Sequence, residues 1–434
     1  MDLRRKMVRD VKLQHSRHHH YVPQWYQRGF LLPGASRFFY LDLNPDTVVQ
    51  AGVSHKRNAV LRWGPKSCFY RDDLYTVKLG QWSTDQIERV FFGEVDRRGR
   101  DAVRHFAHFD SISDPTWGAG RDLAPYMDAQ KFRTPRGLDL IRLRTGSFDH
   151  NATLFTMSQQ FQFSTMWMES IWEIVGARLS PTKFILSDDP VTFYCKNVFP
   201  SEWQYPNEMS LKQVGTRTIF PLTLNACLII THLEFVRHPR AVPTMHRTNA
   251  RSFQPALKYL GDIQFGRELE EDEVLRINHI VKKRAVRYVA ASHEDWLYPE
   301  RHVSTSDWTT LDDDWFLLPN LWRIHFTRQI TIGHADGRVT TLDEYGRRPW
   351  QRGYRDERQR DREWETFEAA KREWAKKRVG KSRARTDERV HGGRDIYNKL
   401  IDDYLREEGL LSSATHTSVA QVAPRADSPN GGPI

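Results

Sequence analysis

Cysteine is scarce in this chain. Three occur in 434 residues, Cys68, Cys195 and Cys227, far apart and never as a Cys-x-x-Cys pair. That argues against a disulfide framework or a zinc ribbon and predicts buried, reduced thiols. Long apolar runs are missing as well: none approaches the roughly 18 residues that a membrane span requires. The opening "MDLRRKMVRDVKLQ" is charged, with no apolar segment behind it. It does not read as a secretory signal, and a cytoplasmic location is the expectation. Familiar site grammars are also absent. There is no G-x-x-x-x-G-K-[ST] loop, which excludes a P-loop ATPase, and neither a G-x-S-x-G elbow nor an H-E-x-x-H helix occurs. A restriction-type nuclease would place an acidic residue two positions before a Lys on the strand after its first Asp. "EMSLK" after Asp188 has the wrong spacing.

What is present is a positive balance and enough apolar material for a core. Net charge is +10, and hydrophobic residues make up 39% of the chain, aromatics 12%. A basic protein of this kind favours polyanions, nucleic acid first, through phosphate neutralisation and counterion release. Total charge alone fits a soluble Arg-rich protein equally well.

The pattern of elements predicts an α+β fold, with helices packed on a modest mixed sheet, then a C-terminal β-hairpin extension and a charged helix. Residues 1–17 read as a basic arm, 18–295 as the main domain, 296–350 as the hairpin extension, 351–411 as a charged helical region and 412–434 as a disordered tail. Within this frame "RFFYLDLNPDTVVQAGV" reads as a hairpin turning at Asn44-Pro45-Asp46. Ser83 and Gln86 fit a capping box for a helix carrying Ile87, Val90, Phe91 and Val95. An amphipathic stripe runs from Leu154 to Val175. "TKFILSDDPVTFYC" and "TRTIFPLTLNACLIITH" read as buried strands, and "EDEVLRINHIVKKRAVRYVAA" as a helix with Val289 facing inward. Asp336-Gly337 is expected to be a two-residue hairpin turn with positive φ at both positions. The stretch from about 355 to 390 reads as an exposed helix supported by i,i+4 pairs.

"HSRHHHYVPQWYQRGF", residues 15–30, places four histidines within six positions. Imidazole can bind metal, move protons or contact phosphate. Val22-Pro23 argues for extended chain, in which His18 and His20 share a face. No remote Cys/His cluster completes a tetrahedral metal set. One histidine buried against the aromatics and hydrogen-bonded, a catalytic or metal role for His19 or His20, and simple phosphate contact all remain open at this point.

"HHYVPQWYQRGF" resembles the opening signature of a bacterial family of uncharacterised proteins, the domain of unknown function numbered four-two-three-eight. "DQIERVFFGEVD", "QKFRTP", "FILSDDPV", "FPLT" and "INHIVKKRAVRYV" resemble that family's later elements in order, so the likeness covers roughly residues 17–290. The family brings no settled activity. Some members are said to sit in defence or mobile-element neighbourhoods, a slight push toward nucleic acid.

Candidate chemistry follows from the residue types. Asp188 and Asp189 end an apolar strand before Pro190, where a carboxylate could hold Mg²⁺ or Mn²⁺ with phosphate oxygens. Strand alternation keeps both from one site, so one would ligate and the other cap a turn; ordinary turn chemistry explains them as well. Glu88 lies near a helix start, where the dipole welcomes an anion. Arg133 before Thr134-Pro135 could clamp a phosphate or pair with a buried acid such as Asp188 or Glu88. Two functions are therefore expected. One is a nucleic-acid-directed, metal-dependent phosphodiesterase or nuclease of defence or toxin type. In it His19 or His20 serves as acid or base, Arg133 stabilises phosphate charge, and Asp188, aided by Glu88, binds metal. The other is a non-catalytic module binding DNA, RNA or a protein, in which the histidine box is structural.

Overall fold

The computed structural model describes residues 17–50, 53–79, 82–84, 87–158, 162–254, 256, 258–303, 307–325, 329–379 and 396–411. Most of the expected basic arm, the basic run 380–395 and the expected tail 412–434 lie outside the described residues.

In chain order the elements are β1 (His18–His20), α1 (Gln24–Arg28), β2 (Phe38–Asp42), β3 (Thr47–Gln50), β4 (Val53–Lys56), β5 (Val60–Trp63), β6 (Tyr70–Asp72), β7 (Val77–Leu79) and β8 (Trp82–Thr84). A π-helical turn, Ile87–Phe92, then leads into α2 (Gly93–Ala107), followed by α3 (Asp114–Phe132), α4 (Pro135–Thr145), α5 (His150–Met157) and α6 (Ser164–Met168). The second half holds β9 (Ile171–Gly176), β10 (Leu186–Ser187), β11 (Thr192–Tyr194), β12 (Arg217–Thr223), β13 (Ala226–Thr231), α7 (Leu233–Arg237), β14 (Ile263–Glu268), α8 (Glu271–Arg284) and β15 (Tyr288–Ala291). It closes with β16 (Gln329–Gly333), β17 (Val339–Asp343), α9 (Glu357–Lys377) and α10 (Ile396–Glu407).

The fold is α+β, as the sequence pattern predicts. Its central sheet has the order β11-β12-β13-β9-β14, antiparallel except where β14 runs parallel to β9. Every residue of β9 is buried, because helices and loops cover both faces of this middle strand. A second, antiparallel sheet of order β10-β15-β2-β5 joins the N-terminal segment to the end of the main body.

Several local expectations change in the fold. β2 and β3 do not pair across Asn44-Pro45-Asp46; β2 lies between β15 and β5, and β3 pairs with β4. Ser83 is no helix cap, since it sits in β8 opposite Lys78. The stripe from Leu154 to Val175 is not one helix: it breaks into α5, α6 and strand β9, because an apolar run buried on all sides carries no period that distinguishes helix from strand. Val289 belongs to β15, not to the preceding helix, which stops at Arg284. At the last hairpin only Gly337 has positive φ, and its N–H bonds back to the His334 carbonyl, giving a longer turn than two residues.

The charged helix α9 is not an exposed rod. Phe367, Ala370, Trp374 and Ala375 form a buried stripe packed with Leu321, Ile324 and Tyr345, and with Ile171 and Phe235 of the main body. Arg378, just beyond its end, donates to the α8 residue Glu273 at 3.0 Å. The core also crosses residue 295, for Trp308, Leu311, Phe316 and Leu317 pack into the main cluster.

Candidate functional site

The histidine box forms β1, and β1 pairs antiparallel with β6: His18 opposite Asp72, His19 opposite Arg71, His20 opposite Tyr70. Strand alternation sends His19 inward while His18 is exposed and His20 half-buried. His19 and His20 therefore face opposite ways and serve no common site. His19 Nδ1 accepts the Tyr75 N–H at 2.8 Å, and its ring stacks on the Tyr75 ring. On the outer face, His18 Nδ1 lies 2.6 Å from Asp72, and Tyr70 contacts both outer imidazoles. His20 Nε2 meets the Lys66 carbonyl at 3.2 Å; burial draws its pKa below the ordinary value, which keeps it neutral at pH 7.

Beyond the strand, Pro23 starts α1 and turns the chain into the core. Tyr26 stacks on Phe220, and its hydroxyl bonds to the Pro221 carbonyl at the bulge in β12. Gln27 donates to the carbonyls of Val22 and Cys68. The box is thus a latch fastening the N-terminal segment to the central sheet.

The "QKFRTP" segment closes over this latch. Gln130 Nε2 donates to the Tyr21 carbonyl at 2.9 Å, and its Oε1 accepts from Arg133 Nε at 2.8 Å and Nη2 at 2.5 Å. Arg133 Nη1 reaches Asp96 on α2 at 2.9 Å, and the Tyr75 hydroxyl donates to the Arg133 carbonyl at 2.6 Å. Burial holds the Asp96 carboxyl above its usual range despite Arg133 beside it. Thr134 accepts from the Gly137 N–H, and Pro135 takes the first position of α4, a site that lacks an intrahelical donor in any case.

The aspartates divide their work. Both oxygens of Asp188 face backbone donors: Val286 at 2.8 Å, Arg287 at 2.7 Å and Tyr288 at 2.9 Å. These bonds fix the turn from α8 into β15. Burial nonetheless outweighs them and pushes the Asp188 carboxyl up to about 6. Asp189 meets Lys131 Nζ with both oxygens at 3.0 Å. The same ammonium reaches Glu208 at 2.8 Å and the Val191 carbonyl at 2.9 Å. Arg136 lies 3.9 Å from Asp189, and Arg284 lies 3.4 Å from Glu208. Three buried cations thus enclose two buried carboxylates.

The separate sequence elements do converge, through Tyr75, Gln130 and Lys131. They converge inside the molecule: His19 is 0% exposed, Arg133 1%, Asp188 4% and Asp189 1%. The side chain of Glu88 lies outside the described residues. The donor set does not suit Mg²⁺ or Mn²⁺, because Asp188 is surrounded by amides and Asp189 by an ammonium and a guanidinium. Among the described residues no group of three or more His, Cys, Asp or Glu is arranged to hold a metal ion. A further pair, Ser170 Oγ and His232 Nδ1 at 3.0 Å, has the residue types of a nucleophile and base, but both are sealed and His232 Nε2 is engaged by the Leu211 carbonyl.

Asp96, Lys131, Arg136, Glu208 and Arg284 were not singled out by sequence. Lys131 and Arg136 flank Arg133 closely enough to be suspected; Glu208 and Arg284 become partners only through the fold. No protein-family model, no curated protein and no solved structure matches this chain.

Proposed function

We propose that the chain is a non-catalytic nucleic-acid-binding protein, related to the family it resembles, whose histidine box is a structural latch. One observation carries this reading. The buried acid, guanidinium and imidazole that chemistry would use are engaged with one another or with backbone.

The binding face lies on the outer side of the same segment. Residues 17–79 contain six arginines and three lysines against four aspartates. Arg17, Arg62, Lys66 and Arg71 are exposed, beside the partly exposed rings of Trp63 and Tyr70. His18 and His20 touch Tyr70, and His20 touches the Lys66 carbonyl, so His18, His20, Lys66 and Tyr70 share one patch, while Arg71 stands opposite His19 on the pair's other face and Arg62 lies over the Phe39 ring. Asp72 and Asp73 interrupt the patch, Asp72 paired with His18 and Asp73 3.7 Å from Arg17. Rings interleaved with cations suit a single strand, whose bases stack while its phosphates are neutralised.

The test is fluorescence anisotropy with single- and double-stranded DNA and RNA over a salt series. Replacing Arg62, Lys66 and Arg71 together by Ala should weaken single-strand binding and lower the salt slope by about two. An unchanged slope removes this face from the reading. Cleavage that requires Mg²⁺ or Mn²⁺, and is abolished by Asp188→Asn in a normally folded protein, would establish the phosphodiesterase instead.

A further inference from the structure

A cavity of about 370 Å³ is lined by residues outside the histidine box. Its volume falls within the roughly 300–1,000 Å³ of small-molecule sites. Arg144, Gln162, Phe163, Met209, Ser210, Leu211, Lys212, Ser252 and Phe253 line it. No carboxylate is in this wall, while two cations are. Neither Arg144 nor Lys212 has a salt-bridge or side-chain hydrogen-bond partner among the described residues, and the same holds for the Ser252 hydroxyl.

The floor is built rather than incidental. The buried Asp128 carboxylate accepts the N–H groups of Gln162 at 2.7 Å and Phe163 at 3.0 Å. On the other side, Glu208 is anchored by Lys131 and Arg284, and the carbonyls of Ser210, Leu211 and Lys212 accept from Thr216 Oγ1, His232 Nε2 and the Arg247 N–H, each at 2.8 Å. Phe163, Met209 and Leu211 give it a buried apolar base. At the rim Phe253 stands 61% exposed with φ of +59°, a conformation that bulky residues rarely adopt. Its ring faces no aromatic partner among the described residues.

We propose that this cavity binds a small organic phosphate carrying a flat ring, of the nucleoside-phosphate class. Arg144 and Lys212 neutralise the phosphate, Ser252 and Ser210 supply hydroxyls to its oxygens, and Phe253 stacks on the ring above the apolar base. A bare anion would leave the apolar base unused, and a neutral ring would leave two cations unopposed. The proposal stands apart from the polyanion face, which lies on other residues.

Isothermal titration of the full chain with ADP, adenosine and inorganic pyrophosphate tests it. ADP should bind saturably, at least about tenfold more tightly than adenosine or pyrophosphate. The double variant Arg144→Ala/Lys212→Ala should weaken ADP at least about tenfold, with unchanged circular dichroism. Phe253→Ala should weaken ADP and leave pyrophosphate unaffected, while the Arg62, Lys66 and Arg71 triple variant should bind ADP normally. Pyrophosphate binding as tightly as ADP, no ADP heat up to about 1 mM, or an indifferent double variant would overturn the assignment.

Discussion

Asp189→Asn is the substitution that most directly separates a structural carboxylate from a catalytic one. Both carboxylate oxygens lie 3.0 Å from Lys131 Nζ, and both residues are almost wholly buried. The substitution keeps the shape of the side chain but leaves Lys131, Arg136 and Arg284 facing Glu208 alone. Removing one partner of a buried pair costs roughly 3–5 kcal/mol, because the other charge stays desolvated. The Asn oxygen still accepts one ammonium hydrogen, so the lower end, about 3 kcal/mol, is expected. Lys131→Met should cost a similar amount, and the double variant much less than the two together, since it removes both charges at once. Urea denaturation, followed by tryptophan fluorescence and by circular dichroism, measures all three. A catalytic carboxylate behaves differently: its loss removes activity with little effect on stability, and often stabilises the fold. If Asp189→Asn stays within about 1 kcal/mol of wild type and the double variant shows no coupling, Asp189 is not held by Lys131, and the structural reading fails with it.

Asp188 gives a pH dependence. Its folded-state value near 6 lies above the ordinary 3.8, so the folded protein binds that proton more tightly than the unfolded chain. The contribution is fully present below about pH 4 and is lost as pH rises through 6, amounting to about 3 kcal/mol. The stability difference between wild type and Asp188→Asn should therefore shift against wild type by that order between pH 4 and pH 7.5; a flat difference would refute it. Arg133→Lys should destabilise by about 3 kcal/mol, because one ammonium cannot reproduce the fork that spans Gln130 and Asp96. An unaffected urea midpoint would show that the fork contributes nothing. Trp374→Ala should cost about 3–5 kcal/mol, since this ring is buried against the main body; a loss under 1 kcal/mol would mean that α9 does not dock.

Much of the fold was legible where period and turn chemistry agree. The buried strands β12 and β13 and the α8 helix up to Arg284 are written in local residues. The extended histidine box was readable too, because Val22-Pro23 disfavours helix and alternation then fixes which imidazoles share a face. The failures have a common cause. Ile171–Val175 continues a helical stripe in sequence but is a middle strand, since burial on both faces erases amphipathic period. Val289 continues the spacing of α8 but is cut off by Asp188, 101 positions upstream, whose carboxylate holds the intervening turn. The exposed-looking α9 acquires its buried stripe from α7, from the segment before β16 and from Ile171. In each case the deciding contact is remote in sequence.

The same remoteness explains why the candidate site pointed to chemistry. Acid, guanidinium and imidazole brought together are the raw material of a phosphodiesterase, but also of a polar interior that must satisfy every charge it buries. Residue type does not distinguish the two; what distinguishes them is whether a lone pair or a proton still faces solvent. Gln130 is decisive here. Its amide nitrogen is committed to the Tyr21 carbonyl and its oxygen to Arg133, so the guanidinium is held from inside by the very segment that carries the histidines. A phosphate arriving at Arg133 would have to displace Gln130 or Asp96 and open the latch to do so. Arg144 and Lys212 present no such obstacle, and neither does Lys66 in the patch around Tyr70, where Arg17 and His18 already face Asp73 and Asp72. Recognition of phosphate by this chain is therefore expected where cations stand unopposed at the surface, and the buried constellation is what keeps those surfaces in place.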